Sequence, residues 1–257
     1  MRLTILGCGT STGVPIPGCP CAVCNSNDPK NERWRTSALI TADDGRNILI
    51  DTSPDLHHQA LRYKIERVDA VLYTHAHADH ILGTDDLRVY NFRRDSPIPC
   101  FGDAQTLSAL KNFFHYIFSP DPNYEGGLLA KLALHEIEVG KSFKAAEQEV
   151  LPFSLLHGSS PVLGFRIGDL AYATDCNAIP DESFSALSGV KVLILDALRH
   201  KPHNTHFTVA DAVDAAKRVG AERTYFVHMT HDLDYHETNA ELPPGMQLAY
   251  DGLQIDF

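Results

Sequence analysis

Residues 74–80, with the sequence Thr-His-Ala-His-Ala-Asp-His, constrain this chain more than any other stretch. They directly follow an apolar run that is typical of a buried strand. Alternate side chains of an extended segment point to one face, so His75 and His77 can bind one ion while Asp79 and His80 turn toward a second. Imidazoles and carboxylates are ligands for zinc, manganese, iron or nickel. The spacing therefore predicts a metal site at the end of a strand.

The bulk composition is that of an ordinary globular protein. The chain has 257 residues, 44% of them hydrophobic and 21% charged, which fits one large domain or two small ones. The net charge of −11 argues against a broad surface for RNA or DNA, because such surfaces are rich in Lys and Arg. No apolar run is long enough to cross a bilayer, and the run in residues 1–7 is too short for a secretory signal. We therefore expect no membrane contact and a cytoplasmic location.

The glycine-rich loop 7–13 follows a first predicted strand, 3–6, and superficially resembles a phosphate-binding loop. A P-loop ends in Gly-Lys-Ser/Thr, and a dinucleotide fold uses its glycines to open a helix. Here Pro15 and Pro17 follow the loop and forbid a helix. The pattern instead predicts a tight turn that brings backbone close to the active site.

Three of the six cysteines, Cys19, Cys21 and Cys24, form a thiol cluster within residues 18–25. In a reducing compartment such clustering indicates metal binding rather than a disulfide framework. Tetrahedral zinc has four ligands, and the cluster supplies three. A zinc knuckle here predicts a distant His or Cys that completes the tetrahedron.

Apolar runs and turn signals predict a mixed α/β chain. The runs 37–42 and 47–51 flank Asp-Asp-Gly-Arg at 43–46, which is a hairpin signal. Helical segments are predicted at 54–63, 104–118 and 209–219, the last ended by Gly220. Further strands are predicted at 68–73, 98–101, 132–139, 150–156, 162–167, 170–173, 191–196 and 223–227.

Three later strands also end at side chains that bind metals: His157, Asp175 and His228. Open α/β sheets bind ligands at the carboxyl ends of their strands. The repeated position favours one shared site for two ions over three isolated structural histidines and carboxylates.

The order of these motifs resembles the metallo-β-lactamase superfamily of metallohydrolases, over nearly the whole chain. The residues that carry the resemblance are His75-Ala76-His77-Ala78-Asp79-His80, His157, Asp175 and His228. The glycine-rich loop 7–13, the thiol cluster, His228-Met229-Thr230-His231 and Asp251-Gly252-Leu253 are similar to PhnP-type phosphodiesterases, whose members hydrolyse 5-phosphoribosyl cyclic phosphate and related phosphodiesters. The resemblance implies a single domain over residues 1–257 with an α/β fold, a four-layer αββα sandwich of two mixed β-sheets flanked by helices.

By matching position, the resemblance also implies the cofactors: two divalent ions, zinc or manganese, in the active site and one structural zinc. One active-site ion would be bound by His75, His77 and His157, the other by Asp79, His80 and His228, with Asp175 bridging both. The structural zinc would be bound by Cys19, Cys21, Cys24 and His231. Residues 228–231 would then carry one ligand of each site. The structural zinc would therefore restrict the motion of His228, a ligand of the second active-site ion.

Two such metals would activate a water and hold a phosphodiester, but the leaving oxygen still needs a proton donor. Residues 196–208 carry three histidines after a predicted strand. We choose His206, which lies just before a predicted helix, as the general acid, with His203 second and His200 third.

Asp79 and Asp175 are expected to be catalytic as well as metal-binding, and Arg199 or Lys201 is an alternative phosphate contact. The preferred function is hydrolysis of a small cyclic or linear phosphodiester. A tRNA 3′-processing nuclease would need an RNA-gripping arm and a basic face that the sequence lacks. A non-enzymatic metal-binding accessory protein of a cofactor-biosynthesis pathway would be expected to have lost ligands, all of which are present. The natural diester, the catalytic metals and the oligomeric state, with a homodimer as one option, stay open.

Overall fold

The computed structural model describes residues 1–94, 96–121 and 123–257. This part of the chain forms two seven-stranded mixed β-sheets flanked by helices, which confirms the αββα sandwich. In the first sheet the order is β14 (Gln254–Asp256), β1 (Arg2–Gly7), β2 (Ser37–Thr41), β3 (Asn47–Ile50), β4 (Ala70–Leu72), β5 (Ile98–Gly102) and β6 (Leu132–Glu136). In the second it is β13 (Met246–Leu248), β12 (Arg223–Val227), β11 (Val192–Asp196), β10 (Leu170–Ala173), β9 (Ser160–Ile167), β8 (Gln148–His157) and β7 (Phe143–Ala145).

The helices are mostly short and connect the strands. They are α1 (Leu56–Arg62), α2 (Ala78–Ile81), α3 (Ala104–Phe113), α4 (His115–Phe118), α5 (Phe184–Leu187), α6 (Val209–Val219) and α7 (Tyr235–Glu241), with 3₁₀ turns at Pro29–Asn31, Thr84–Arg93 and Asp181–Ser183. Among the described residues, none of the helices combines the length and the apolar character that crossing a bilayer requires.

Strand β3 shows why two apolar layers form. Ile48 and Ile50 point into the core between the sheets, whereas Leu49 points to the outer face, where it packs with Leu56 of α1 and Leu110 of α3. Alternate side chains of a strand face opposite sides, so a strand without polar residues at these positions must be covered on both faces. One core packs the first sheet against the second sheet, and the other packs it against the helices on its outer face.

The strand directions bring the carboxyl ends of several strands to one edge. In the first sheet β3, β4 and β5 are parallel. In the second sheet β10, β11 and β12 are parallel, and β8 runs in the same direction because it is two antiparallel steps from β10. The residues that follow β4, β8, β10 and β12 therefore meet at this edge.

Several predicted boundaries differ from the structure. The predicted helix 104–118 is interrupted at Phe114, whose φ of −113° and ψ of 41° end α3 before α4 begins. Phe114 is buried while Phe113 is exposed, so the break turns the second ring into the outer core. The predicted strands 68–73 and 132–139 are shorter, because pairing is confined to Ala70–Leu72 and Leu132–Glu136. The helix Val209–Val219 is confirmed, with Gly220 at φ 75° as its left-handed cap.

Candidate metal centre

The seven predicted ligands lie at the common edge of the two sheets. Four follow β4, on the loop and the short helix α2, and His157 is the last residue of β8. Asp175 follows β10 and His228 follows β12. We call the whole set the His/Asp cluster: His75, His77, Asp79, His80, His157, Asp175 and His228.

One half of the cluster consists of the histidines His75, His77 and His157, whose ligand atoms lie within 4.8 Å of one another. His75 is buried, and its Nε2 has no hydrogen-bond partner in the part of the chain that is described. The backbone oxygen of Thr205 lies 2.8 Å from Nδ1 of His157, so this imidazole donates there and keeps Nε2 for the cluster. This three-histidine half has the donor set of a zinc site with open coordination positions.

The other half contains Asp79, His80, Asp175 and His228, all of them buried. An Asp175 oxygen lies 3.1 Å from Nε2 of His80, 3.0 Å from Nε2 of His228 and 3.9 Å from Nε2 of His75. An Asp79 oxygen lies 3.4 Å from Nε2 of both His80 and His228. The Asp175 carboxylate thus reaches ligand atoms of both halves.

The two halves differ in their protonation. Burial lowers the pKa of His157 to about 4 and places the pKa of His75 well below its usual value, so both rings are neutral at pH 7. Burial alone would also lower the pKa of His228, but Asp175 and the other carboxylates outweigh it and raise that pKa to about 10. Asp175, Asp51 and Asp79 raise the pKa of His80 against the effect of burial. Without metal, the aspartate half therefore holds protons in ion pairs.

Asp51 supports the aspartate half and was not singled out from the sequence. It follows β3 and is fully buried, with one oxygen 2.7 Å from Nδ1 of His80. Thr74 donates its N–H and its hydroxyl to the same carboxylate, at 2.8 Å each. These contacts fix the His80 ring so that Nε2 faces Asp175. The signal that could have found Asp51 is its position at a strand end.

His206 lies against both halves of the cluster. Its ring centroid is 4.6 Å from that of His157 and 4.7 Å from that of His228. Nδ1 of His206 lies 2.6 Å from an oxygen of Asp196, which is fully buried at the end of β11 and also accepts from the N–H of Cys176 at 3.1 Å. Asp196 is the second functional candidate that sequence reasoning passed over, although it too ends a strand.

The other polar residues of this loop lie farther from the cluster. His203 is exposed, and its ring centroid is 5.2 Å from that of His206. His200 is exposed and belongs to none of the groups of potential metal ligands among the described residues. Arg199 donates to the carbonyls of Lys201 and Pro202, at 3.2 Å each, so its guanidinium is engaged within the loop.

The thiol cluster and His231 come together at the surface as a second group of potential ligands. Nδ1 of His231 lies 3.2 Å from Sγ of Cys19, 3.3 Å from Sγ of Cys21 and 3.5 Å from Sγ of Cys24. Zinc bonds of about 2.3 Å to sulfur and about 2.0 Å to nitrogen place these atoms about 3.5 Å apart in a tetrahedron. A hydrogen bond from the Cys24 N–H lowers the pKa of Cys21 to about 6, which favours the thiolate.

Residues 228–231 connect the two groups and are held by backbone contacts. Met229 donates to Cys8 and accepts from Thr10, at 3.0 Å each, so the glycine-rich loop approaches the site as the sequence predicts. The guanidinium of Arg33, fully buried, donates to the carbonyl of Thr230 at 2.8 Å. The segment that carries His228 and His231 is therefore fixed from both sides.

The donor set of the His/Asp cluster fits divalent metals. Two ligand atoms about 2.1 Å from one ion lie about 3.0–3.5 Å apart, which matches the separations of Asp175 from His80 and His228. A buried imidazole nitrogen without a partner, as at His75, is also what a metal would satisfy. Both observations agree with metal binding by imidazole and carboxylate.

A cavity of about 620 Å³ opens beside the three-histidine half and is lined by His75, His77 and His157. Its other walls come from the start of α3, the turn between β8 and β9, and the loop before α6. The volume is in the range of small-molecule sites. The cavity gives a substrate access to the cluster.

Comparison with known proteins places the chain in a family. Residues 46–229 match the model of the beta-lactamase superfamily domain. The octanoyltransferase of Porphyromonas gingivalis (strain ATCC BAA-308 / W83) is 40% identical over 256 residues, which are 99% of this chain and 51% of that protein. The chain thus spans about half the length of this relative.

Solved structures give the same assignment. A crystal structure of a diphosphatase from the PhnP family has a TM-score of 0.92 and 44% identity, covering 100% of this chain and 98% of the other. The zinc-bound PqqB of Methylobacterium extorquens, at 19% identity and a TM-score of 0.81 over the full length of both chains, shares the fold. The chain therefore belongs to the metallo-β-lactamase superfamily and, within it, to the PhnP family. These findings support a metal-dependent hydrolase, and the fold implies a divalent metal.

Proposed function

We propose that this chain is a phosphodiesterase that hydrolyses a small cyclic or linear phosphodiester at the His/Asp cluster, with two zinc or manganese ions. The observation that carries the proposal is the cluster itself: seven potential ligands in two adjoining groups with a carboxylate between them. The PhnP-family diphosphatase adds phosphoryl chemistry as the class of reaction. The knuckle of Cys19, Cys21, Cys24 and His231 is proposed as the structural zinc site.

When bound, two divalent ions would lower the pKa of a water molecule and polarise the phosphoryl oxygens. The chain supplies the ligands: His75, His77 and His157 for one ion, Asp79, His80 and His228 for the other, and Asp175 for both. Asp51 orients His80 through Nδ1.

Proton transfer to the leaving oxygen is assigned to His206. Asp196 holds Nδ1 of His206 at 2.6 Å, so Nε2 is the nitrogen that can carry the transferred proton. The ring lies between those of His157 and His228, so the donor adjoins both halves of the cluster. Among the three loop histidines, this placement favours His206 over His203 and His200.

A second candidate is hydrolysis or transfer of an octanoyl group, since the Porphyromonas relative is an octanoyltransferase. The cavity offers little support for binding of an octanoyl group, because the apolar part of the cavity lining consists of small side chains such as Ala76, Pro161 and Val162. An eight-carbon chain would gain little from burial there.

The test is a substrate panel with defined metals. Bis(4-nitrophenyl) phosphate, a dinucleoside diphosphate and an octanoyl thioester are assayed with chelator-treated protein and after addition of zinc or manganese. The proposal predicts metal-dependent cleavage of the phosphorus substrates and none of the thioester above background. Cleavage of the thioester alone would replace the phosphodiesterase by the second candidate.

A further inference from the structure

Six of the side chains that line the cavity beside the three-histidine half are uncharged and polar. Its lining includes hydroxyl and amide side chains from three segments: Gln105 and Thr106, Ser159 and Ser160, Asn204 and Thr205. None of its described lining residues is Lys or Arg. Phosphate groups outside a metal site are usually bound by Arg or Lys, whereas hydroxyls and amides suit uncharged polar groups.

We propose that this cavity binds the part of the diester that does not react, and that this part is an uncharged sugar or nucleoside without a second phosphate. The inference rests on the proposed phosphodiesterase function. It narrows the substrate class to diesters that carry no second phosphate. A phosphoribosyl group with its own phosphate monoester would place two negative charges against a cavity wall without Lys or Arg side chains.

Asp103 strengthens the argument because it adds a negative charge to the cavity wall. It is the N-cap of α3, where one carboxylate oxygen accepts from the N–H of Thr106 at 2.7 Å. A carboxylate has acceptor capacity beyond this one bond and can accept from hydroxyls of a sugar. The same charge repels a phosphate monoester.

The cations of the neighbouring loop do not reverse this field. Arg199 is engaged with the carbonyls of Lys201 and Pro202, and neither Arg199 nor Lys201 lines the cavity. The expectation that one of them contacts phosphate therefore has no support from the cavity. Among the described residues that line the cavity, none has a cationic Lys or Arg side chain to bind a second phosphate.

The test compares two substrates with the same reacting group. Thymidine 5′-(4-nitrophenyl phosphate) carries an uncharged nucleoside, and its 3′-phosphorylated form carries a second phosphate. We expect kcat/KM to be at least tenfold higher for the first ester. An equal or higher value for the 3′-phosphorylated ester overturns the inference while the phosphodiesterase stands. Cleavage of neither ester, nor of bis(4-nitrophenyl) phosphate, overturns both.

Two variants test the cause of the preference. Asp103→Asn keeps a good N-cap and removes the charge, so the ratio between the esters should fall several-fold. Ser160→Lys places a cation on an exposed wall position and should raise kcat/KM for the 3′-phosphorylated ester. Ser188→Lys, on an exposed serine outside the cavity, is the matched control and should leave the ratio unchanged. Ratios in both cavity variants that equal wild type overturn the assignment of the cavity.

Discussion

The two halves of the His/Asp cluster differ in the protonation of their histidines. In the three-histidine half the rings of His75 and His157 are neutral, because burial lowers the pKa of each. In the aspartate half, carboxylates keep protons on His80 and His228. His75 and His157 can bind an ion without losing a proton, whereas His80 and His228 must release a proton to bind one. The difference shows that one site can combine a preformed ligand set with one that metal binding has to create.

Asp175→Ala should lower activity more than the other variants, because the Asp175 carboxylate lies near ligand atoms of both halves and its loss leaves no carboxylate between them. We expect phosphodiesterase activity to fall at least about 10³-fold, the upper range for removal of one preorganised electrostatic group. Activity and metal content are measured together, with circular dichroism to check the fold. Asp169→Ala, on a surface residue paired with Lys191 next to the same strand, is the control. Intact activity in Asp175→Ala would refute the bridging role.

His206→Ala should have the next largest effect, and it should depend on the leaving group. A general acid contributes about 10²–10⁴-fold, mostly for leaving groups of high pKa. We expect a large loss with an alkyl diester and a small one with a 4-nitrophenyl diester. His200→Ala removes an exposed histidine of the same loop and should change neither rate. Equal losses with both leaving groups would show that His206 does not donate the proton.

Proton release on metal binding separates the two halves directly. The pKa of His228 is raised to about 10, so below that pH the ion must displace its proton. Affinity of the aspartate half should therefore rise with pH, by up to about tenfold per pH unit for each displaced proton. His75 and His157 of the three-histidine half should release almost none near neutral pH, because burial lowers the pKa of each. Calorimetric titration in buffers of different ionisation enthalpy measures both steps. Equal proton release in the two steps would remove the distinction between the halves.

Among these variants, Cys21→Ala should lower the activity of the cluster least and the stability of the protein most. Cys21 is one of four potential ligands of the knuckle, which lies at the surface and shares only residues 228–231 with the cluster. We expect loss of one zinc per chain and a lower melting temperature, with activity reduced by no more than about tenfold, as for a residue supporting a ligand. Cys100→Ala, in the outer core, should keep the zinc. Unchanged zinc content in Cys21→Ala would contradict the knuckle.

The sequence predicts the strand ends, but it does not predict which side chains hydrogen-bond to the functional histidines there. Apolar runs predict the carboxyl ends of β4, β8, β10 and β12 to within one residue, and that is enough to align His75, His157, Asp175 and His228 at one edge. Asp51 and Asp196 also end strands, yet their roles depend on which side chain of another segment packs against them. Spacing along the chain carries no such information.

The short elements escaped prediction for a related reason. Strands β7, β13 and β14 have three residues each, too few for a recognisable alternation, and they exist because neighbouring strands pair with them. Helix α2 has four residues, and its position follows from the loop that carries Asp79 and His80. Tertiary pairing, not local sequence, decides these elements.

Stepwise metal reloading tests the central proposal most directly. Protein treated with a mild chelator, so that only the knuckle keeps zinc, is titrated with zinc or manganese while bound ions per chain and hydrolysis of bis(4-nitrophenyl) phosphate are followed together. We expect no activity before metal is added back and activity that appears as two further ions bind. Full activity with only the knuckle zinc present would contradict a metal-dependent phosphodiesterase at the His/Asp cluster.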